Sequence, residues 1–190
     1  PTDIDGIPFQ KDKSERVLSL NRIMPQKGIH LFVDMVNKEK IKADVAGDDS
    51  QLVQDQNYVQ YIKNTCKNSG FANYMGLVDD ATRLRLLRNA KVLVCLKDMG
   101  YEEVFGLSAV EALASGTPVV ALKSCGFSDI IDHGKNGFLC DNMDEVAKAI
   151  GKVNEIDNEY CRKSAEKFST PVRSKVYEQM FTQVKGGSRW

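Results

Sequence analysis

The sequence predicts an α/β domain with a doubly wound parallel sheet, helices on both faces of that sheet, and further helices at the C-terminal end. Short apolar segments alternate with helical patterns as far as residue 140, which is typical of strands joined by helical crossovers. The segment 91–96 is apolar almost throughout, as expected for a parallel strand that is covered on both faces. No low-complexity tract and no repeat of solenoid length interrupts the alternation.

In the first half of the chain, three short strands are each followed by a helical pattern. Asp79 is a plausible N-cap for the third helix, because its short carboxylate can accept hydrogen bonds from backbone N–H groups at a helix start. The predicted strands and helices alternate in chain order as 17–20, 29–37, 43–46, 53–67, 73–78 and 81–88.

The second half begins with the strand 91–96, which we expect to lie centrally in the sheet. Gly116 then closes a helix, and Pro171 separates the last two helical patterns. The predicted segments are a helix at 105–115, a strand at 118–122, a helix at 126–131, a turn at 133–137, a strand at 138–140, and helices at 144–153, 158–168 and 174–184.

Charge and cysteine content restrict the possible partners. The 26 basic and 26 acidic residues cancel, which argues against a nucleic-acid partner and requires any anion site to be local. The five cysteines lack close C-x-x-C pairs, so we expect reduced thiols in a cytoplasmic protein with no metal site. The chain begins at Pro1 with a polar, turn-rich opening, and we interpret 1–14 as a linker remnant and 15–190 as the folded domain.

Two glutamates, Glu103 and Glu111, mark the most informative segment. Residues 102–120 read E-E-V-F-G-L-S-A-V-E-A-L-A-S-G-T-P-V-V. Two helical turns advance by about seven residues, so Glu111 falls on the same face as the helix start, where backbone N–H groups and the positive end of the dipole favour a phosphate. A sugar nucleotide offers that combination of charge and hydroxyls.

This segment resembles the donor-binding signature of retaining glycosyltransferases of the two-domain GT-B kind, in particular family 4 (group 1). The resemblance implies a Rossmann-like C-terminal domain that binds a nucleotide diphosphate sugar, while an N-terminal acceptor domain is absent from this chain. It also implies transfer of the sugar to an acceptor hydroxyl with retention, without a metal or another cofactor. The acceptor would be a saccharide or a lipid-linked saccharide, with peripheral association of the full-length protein at the inner face of the membrane.

Two cations near the first strand complete the resemblance. Arg22, Lys27 and Gly28 match the family's R-x4-K-G, whose cations stabilise the leaving diphosphate, and a guanidinium and an ammonium can both meet one diphosphate. Two solvated loop cations are the alternative interpretation. Glu111 is predicted to bind the ribose, since a carboxylate accepts hydrogen bonds from two neighbouring hydroxyls, and an exposed helix carboxylate is the alternative interpretation. The resemblance places Glu103 beside the donor sugar, and a surface carboxylate is the alternative interpretation.

Small and apolar residues complete the predicted donor site. Phe105, Gly106 and Leu107 would start the helix where the backbone approaches sugar and phosphate, and Gly126 would add main-chain N–H donors. Val104 stands where the family often has glycine. An ordinary helix start explains Gly126 equally well.

Two other classes of protein stay open at this stage. A sugar-nucleotide epimerase or a phosphorylase can share the architecture, and a non-catalytic nucleotide-binding or interaction module would have the same fold. As an isolated domain, we expect the chain to bind nucleotide and to turn over little, because acceptor and donor meet in a cleft between two domains.

Overall fold

A computed structural model describes residues 2–50, 55–98 and 100–185, and within them six parallel strands form one sheet. The spatial order is β3-β2-β1-β4-β5-β6, so consecutive strands run outward in both directions from the central pair β1 and β4. The strands are β1 (Val17–Leu20), β2 (Ala43–Ala46), β3 (Ala72–Gly76), β4 (Val92–Cys95), β5 (Val119–Leu122) and β6 (Gly137–Cys140). The predicted doubly wound sheet and the central place of the fourth strand are confirmed.

Helices connect the strands and cover both faces of the sheet. They are α1 (Ile29–Lys38), α2 (Gln56–Lys67), α3 (Asp80–Asn89), α4 (Leu107–Ala114), α5 (Cys125–Ser128), α6 (Met143–Lys152), α7 (Asn158–Ala165) and α8 (Thr170–Lys185), with 3-10 turns at Pro25–Lys27, Val153–Glu155 and Glu166–Phe168. Asp79 caps α3 as predicted, its carboxylate accepting a hydrogen bond from the Thr82 N–H at 2.7 Å.

Three predicted helix boundaries need correction. The helix predicted at 126–131 is a single turn that begins at Cys125. Pro171 lies in the first turn of α8 rather than between two helices, because the first N–H groups of a helix have no intrahelical partner for proline to remove. The helix predicted at 53–67 begins at Gln56, capped by Asp55, and the predicted residues 53 and 54 lie outside the described residues.

Alternate residues of the two central strands supply two hydrophobic cores, one on each face of the sheet. Leu18 and Leu93 point into one core, whereas Val17 and Val92 point into the other. All four are buried, which explains why these strands read as continuous apolar runs. Full burial of each such side chain contributes about 1.5–3 kcal/mol, so the central strands are held rigidly.

The N-terminal segment packs on the domain. Ile4 and Ile7 are buried in the same core as Leu18, and the Lys13 ammonium donates hydrogen bonds to the carbonyls of Arg88 and Ser115 at 2.8 and 3.0 Å. Lys13 thereby satisfies carbonyl groups near the ends of α3 and α4. The division of the chain into a linker remnant and a domain stays a prediction.

At the other end of the chain, α8 buries none of its residues and exposes Val172, Val176, Tyr177 and Phe181. Among the described residues, no helix combines the length and the apolar character that crossing a membrane requires.

Candidate functional site

The predicted site residues lie in the connections that follow the carboxyl ends of β1, β4 and β5, some on loops and some in the helices α4 and α5. β1 and β4 are neighbours whose following helices cover opposite faces, and ligands of open α/β sheets bind at such switch points. Main-chain hydrogen bonds tie these loops together. Ile23 N–H donates to the Asp48 carbonyl at 2.9 Å, and Asp98 N–H donates to the Gln26 carbonyl at 3.1 Å. Gly126 N–H donates to the Glu103 carbonyl at 2.8 Å, which adds the loop after β5.

Lys27 is the best enclosed cation at this edge. Its side chain is 9% exposed, and its ammonium forms an ion pair with the Glu103 carboxylate, which is 16% exposed. The ammonium also donates to the Tyr101 hydroxyl at 3.1 Å and lies 4.7 Å from the centroid of the Tyr101 ring. An ammonium has three donors, so these two partners leave one N–H direction for a further acceptor.

The surroundings of Lys27 keep it charged. Burial disfavours the ammonium, but the hydrogen bonds with Glu103 and Tyr101 and the negative charge of Glu103 outweigh that cost, and the pKa of Lys27 is raised. A buried positive charge therefore persists at neutral pH beside the switch point. Such a charge is suited to binding an anion in a site from which water is partly excluded.

Gly28 explains how Lys27 comes to lie against β4. The residue adopts a left-handed conformation with φ 61°, joins the 3-10 turn to α1, and its N–H donates to the Pro25 carbonyl at 2.8 Å. A Cβ at this position would lie 3.0 Å from the Leu96 Cβ. The glycine of R-x4-K-G therefore has a structural reason, since a larger residue would push the cation loop away from the end of β4.

Arg22 and Glu111 occupy different surroundings from Lys27. Arg22 is exposed on the loop after β1. The Glu111 carboxylate forms an ion pair with Arg83 of α3, and Arg83 Nε also donates to Asp80 at 3.2 Å. The structure thus brings Lys27 and Glu103 together, and it gives Glu111 a partner that the sequence did not reveal. The role of Glu111 at a ribose stays a prediction.

The start of α4 has an apolar rim. Gly106 is the N-cap of the helix and has no side chain, and Phe105 and Leu107 are exposed on either side of it. The Phe105 ring packs edge-on against the Phe168 ring, with 5.7 Å between the ring centroids. Val104 is 85% exposed. Because Lys40 alone among the described non-glycine residues has a positive φ, the β-branched side chain of Val104 suits its backbone.

Gly126 allows the loop after β5 to approach this rim closely. A Cβ on Gly126 would lie 2.5 Å from the Val104 carbonyl, so only glycine permits the hydrogen bond between Gly126 N–H and the Glu103 carbonyl. This contact fixes the main chain that carries Glu103. A role for the Gly126 N–H toward the sugar stays a prediction.

Sequence reasoning missed two residues of this edge. Arg83 lies 28 residues before its partner Glu111, and no local pattern connects them. Tyr101 lies two residues before Glu103 on the loop after β4, and its contact with Lys27 joins residues 74 apart in the sequence. No local pattern identifies Tyr101 either.

Three further titratable side chains, Cys95, His30 and His133, are buried or hydrogen-bonded within the domain. Burial, followed by the negative charge of Glu103, raises the pKa of the Cys95 thiol to about 12, so it stays protonated at neutral pH. His30 Nδ1 lies 2.9 Å from the Tyr58 hydroxyl, and His133 Nδ1 accepts a hydrogen bond from the Leu139 N–H at 3.2 Å. Within the part of the chain that the structure describes, no three His, Cys, Asp or Glu side chains are grouped so as to hold a metal ion.

A parallel doubly wound sheet with a charged cluster at its switch point places the chain among Rossmann-like α/β domains. The family described as glycosyl transferases group 1 matches residues 2–171. The chain belongs to this family.

Individual proteins that are named as glycosyltransferases also match parts of the chain. The D-inositol 3-phosphate glycosyltransferase of Corynebacterium jeikeium is 37% identical over 92 residues, covering 44% of this chain and 22% of the relative. The alpha-1,3/1,6-mannosyltransferase ALG2 of Dictyostelium discoideum is 25% identical over 165 residues, covering 77% and 39%.

Among solved structures, Anabaena HepE in complex with UDP and glucose superposes with a TM-score of 0.77 at 20% identity, covering 95% of this chain and 55% of that one. This likeness confirms the fold. The chain spans well under two thirds of the length of each of these three proteins.

Proposed function

We propose that the chain is the donor-binding, C-terminal domain of a retaining glycosyltransferase of family 4, which transfers a sugar from a nucleotide diphosphate sugar to an acceptor hydroxyl. The observation that carries the proposal is the buried, charged Lys27 ammonium at the switch point of the sheet. Family membership supports it, as does the likeness in fold to a protein that was crystallised with UDP and glucose.

Lys27 and Arg22 would serve the leaving group. Negative charge grows on the diphosphate as the bond to the anomeric carbon breaks, so cations that are already oriented lower the barrier without reorganisation. Lys27 would meet the diphosphate from within the site, and the exposed Arg22 guanidinium would close on it from the solvent side. Since Gly106 provides no side-chain cap, the first N–H groups of α4 would add further donors.

The two glutamates would bind the uncharged parts of the donor. Glu103 would turn part of its carboxylate from Lys27 to the sugar hydroxyls, and Glu111 would accept hydrogen bonds from the ribose while staying next to Arg83. Gly28 and Gly126 would contact the donor through main-chain atoms. Phe105 and Leu107 would contact it mainly through the exposed surface of the rim. In this proposal the protein's cations replace a metal and no other cofactor takes part.

The complete protein would act on a saccharide or a lipid-linked saccharide held by an N-terminal domain. Names of relatives support this acceptor class, since one is a phosphatidyl-myo-inositol mannosyltransferase. We place the enzyme in the cytoplasm, with peripheral attachment to the inner membrane face. The isolated domain would be a weak catalyst, because the acceptor must be oriented against the donor.

Isothermal titration calorimetry of this chain with UDP, GDP and ADP tests the proposal. At least one nucleotide should bind, and Lys27→Met should weaken that binding about tenfold or more, the value of one charged hydrogen bond. Arg22→Ala should weaken it less, because Arg22 is exposed. Lys175→Ala, an exposed lysine on α8, is the matched control and should change nothing. No heat with any of the three nucleotides contradicts the proposal.

A further inference from the structure

Tyr101 makes two contacts with one ammonium group. Its hydroxyl accepts a hydrogen bond from Lys27 at 3.1 Å, and its ring centroid lies 4.7 Å from the same nitrogen, within the range of a cation–π contact. Tyr101 and Glu103 come from the same loop after β4, so that loop holds Lys27 through one neutral and one charged partner.

We propose that Tyr101 is a positioning residue, which aims the Lys27 ammonium at the diphosphate of the donor. The inference rests on the proposed function of Lys27. No part of the E-x7-E or R-x4-K-G patterns includes Tyr101, and its role follows from the two contacts.

The need for a neutral partner follows from the two tasks of Glu103. A lysine side chain has four flexible carbons, so its ammonium can occupy several positions. An ammonium that is not held in one position stabilises a fixed phosphate much less. Glu103 holds the ammonium, but it also cancels charge and would turn toward the sugar hydroxyls when donor binds. Tyr101 can retain the ammonium during that exchange without neutralising it.

The three N–H donors of the Lys27 ammonium match these separate tasks of Glu103 and Tyr101. One N–H serves Glu103, a second serves Tyr101, and the third is directed by these two because the ammonium is tetrahedral. Without Tyr101, the ammonium could rotate and could move with the Glu103 carboxylate when that carboxylate turns toward the sugar. The Tyr101 N–H also donates to the Asp98 carbonyl at 3.2 Å, a main-chain contact that every side-chain variant keeps.

The test measures the affinity of Tyr101→Phe, Tyr101→Leu and Lys27→Met for UDP, GDP and ADP by calorimetry, with both Tyr101 changes repeated in the Lys27→Met background. Tyr101→Leu should weaken binding about tenfold, and Tyr101→Phe, which keeps the ring over the ammonium, should recover part of that loss. In the Lys27→Met background, neither change should weaken binding further by more than about twofold.

A second readout separates positioning from structural support. The pKa of Lys27, followed by NMR of its side-chain carbons, should fall in Tyr101→Phe because the hydroxyl favours the charged ammonium. Tyr177→Phe, at an exposed tyrosine of α8, is the matched control and should change neither the affinity nor the pKa of Lys27. Tyr101→Phe differs by one oxygen, so it provides the test even if Tyr101→Leu does not fold.

The outcomes distinguish the two proposals. If Lys27→Met weakens binding while both Tyr101 variants bind normally, the positioning role is overturned and the proposed function stands. If the Tyr101 changes have the same effect with and without Lys27, Tyr101 is structural and the inference is also overturned. If no nucleotide binds, or if Lys27→Met binds as well as the original chain, the proposed function falls and takes the inference with it.

Discussion

The two ion pairs of the E-x7-E segment differ in burial. Lys27 and Glu103 are 9% and 16% exposed and are joined by Tyr101, whereas Arg83 and Glu111 are 29% and 21% exposed between two helices. Removing one partner of a buried pair is costly, since the other charge is left buried without a partner, whereas at a more exposed pair water can replace the lost partner at little cost. The two glutamates of one motif should therefore contribute differently to the stability of the domain.

The largest effect should come from Glu103→Ala. The change leaves the enclosed Lys27 ammonium without its counter-charge, and we expect the free energy of unfolding to fall by about 3 kcal/mol. Urea denaturation measures this loss. Arg83→Ala, at the more exposed pair, should cost less than about 1 kcal/mol. Equal losses for the two variants would show that burial does not separate the pairs.

A smaller loss is expected for Gly28→Ala, which disturbs the cation loop without touching a charge. The left-handed φ of 61° and the approach of the new Cβ to the Leu96 Cβ should together cost about 2 kcal/mol in thermal or urea unfolding. Gly134→Ala is the matched control, because Gly134 has φ 80° but nothing within 4 Å of the new Cβ. If Gly28→Ala lowers the free energy of unfolding no more than Gly134→Ala does, the close approach of the new Cβ to Leu96 has no effect on stability.

Glu111→Gln should affect ligand binding rather than folding. Affinity for the nucleotide that binds most tightly among UDP, GDP and ADP should fall about tenfold, because a charged acceptor is lost, while the free energy of unfolding changes by less than about 1 kcal/mol. Calorimetry and urea denaturation measure the two quantities on the same samples. Unchanged affinity would contradict a ribose contact at Glu111.

The smallest effect concerns pH. Because the pKa of Lys27 is raised above its ordinary value of 10.5, the native state holds this proton more tightly than the unfolded chain. Its contribution to stability is fully present below pH 10.5 and is lost as pH rises through the native pKa. Thermal unfolding above that pH should show a steeper decline for the original chain than for Lys27→Met. If the stability of the two proteins falls equally with pH, the native state does not hold the Lys27 proton more tightly than the unfolded chain does.

Much of the fold could be predicted from the sequence, because its main signals are local. Continuous apolar runs such as 92–95 identify strands that are buried on both faces, and the carboxylate of Asp79 marks a helix start. Pro171 was misplaced because proline is compatible both with a break and with the first turn of a helix. The R-x4-K-G and E-x7-E patterns assigned Lys27 and Glu103 to one predicted site, but no local signal indicated that their charges form an ion pair.

The sequence by itself determined the alternation of strands and helices, the zero net charge and the residue types offered at the strand ends. Tertiary structure alone decided which charges meet: Lys27 with Glu103, 76 residues apart, and Glu111 with Arg83 of a neighbouring helix. The physical reason is that these contacts depend on β1 lying beside β4. That adjacency results from the packing of helices on both faces of the sheet, which no local segment encodes.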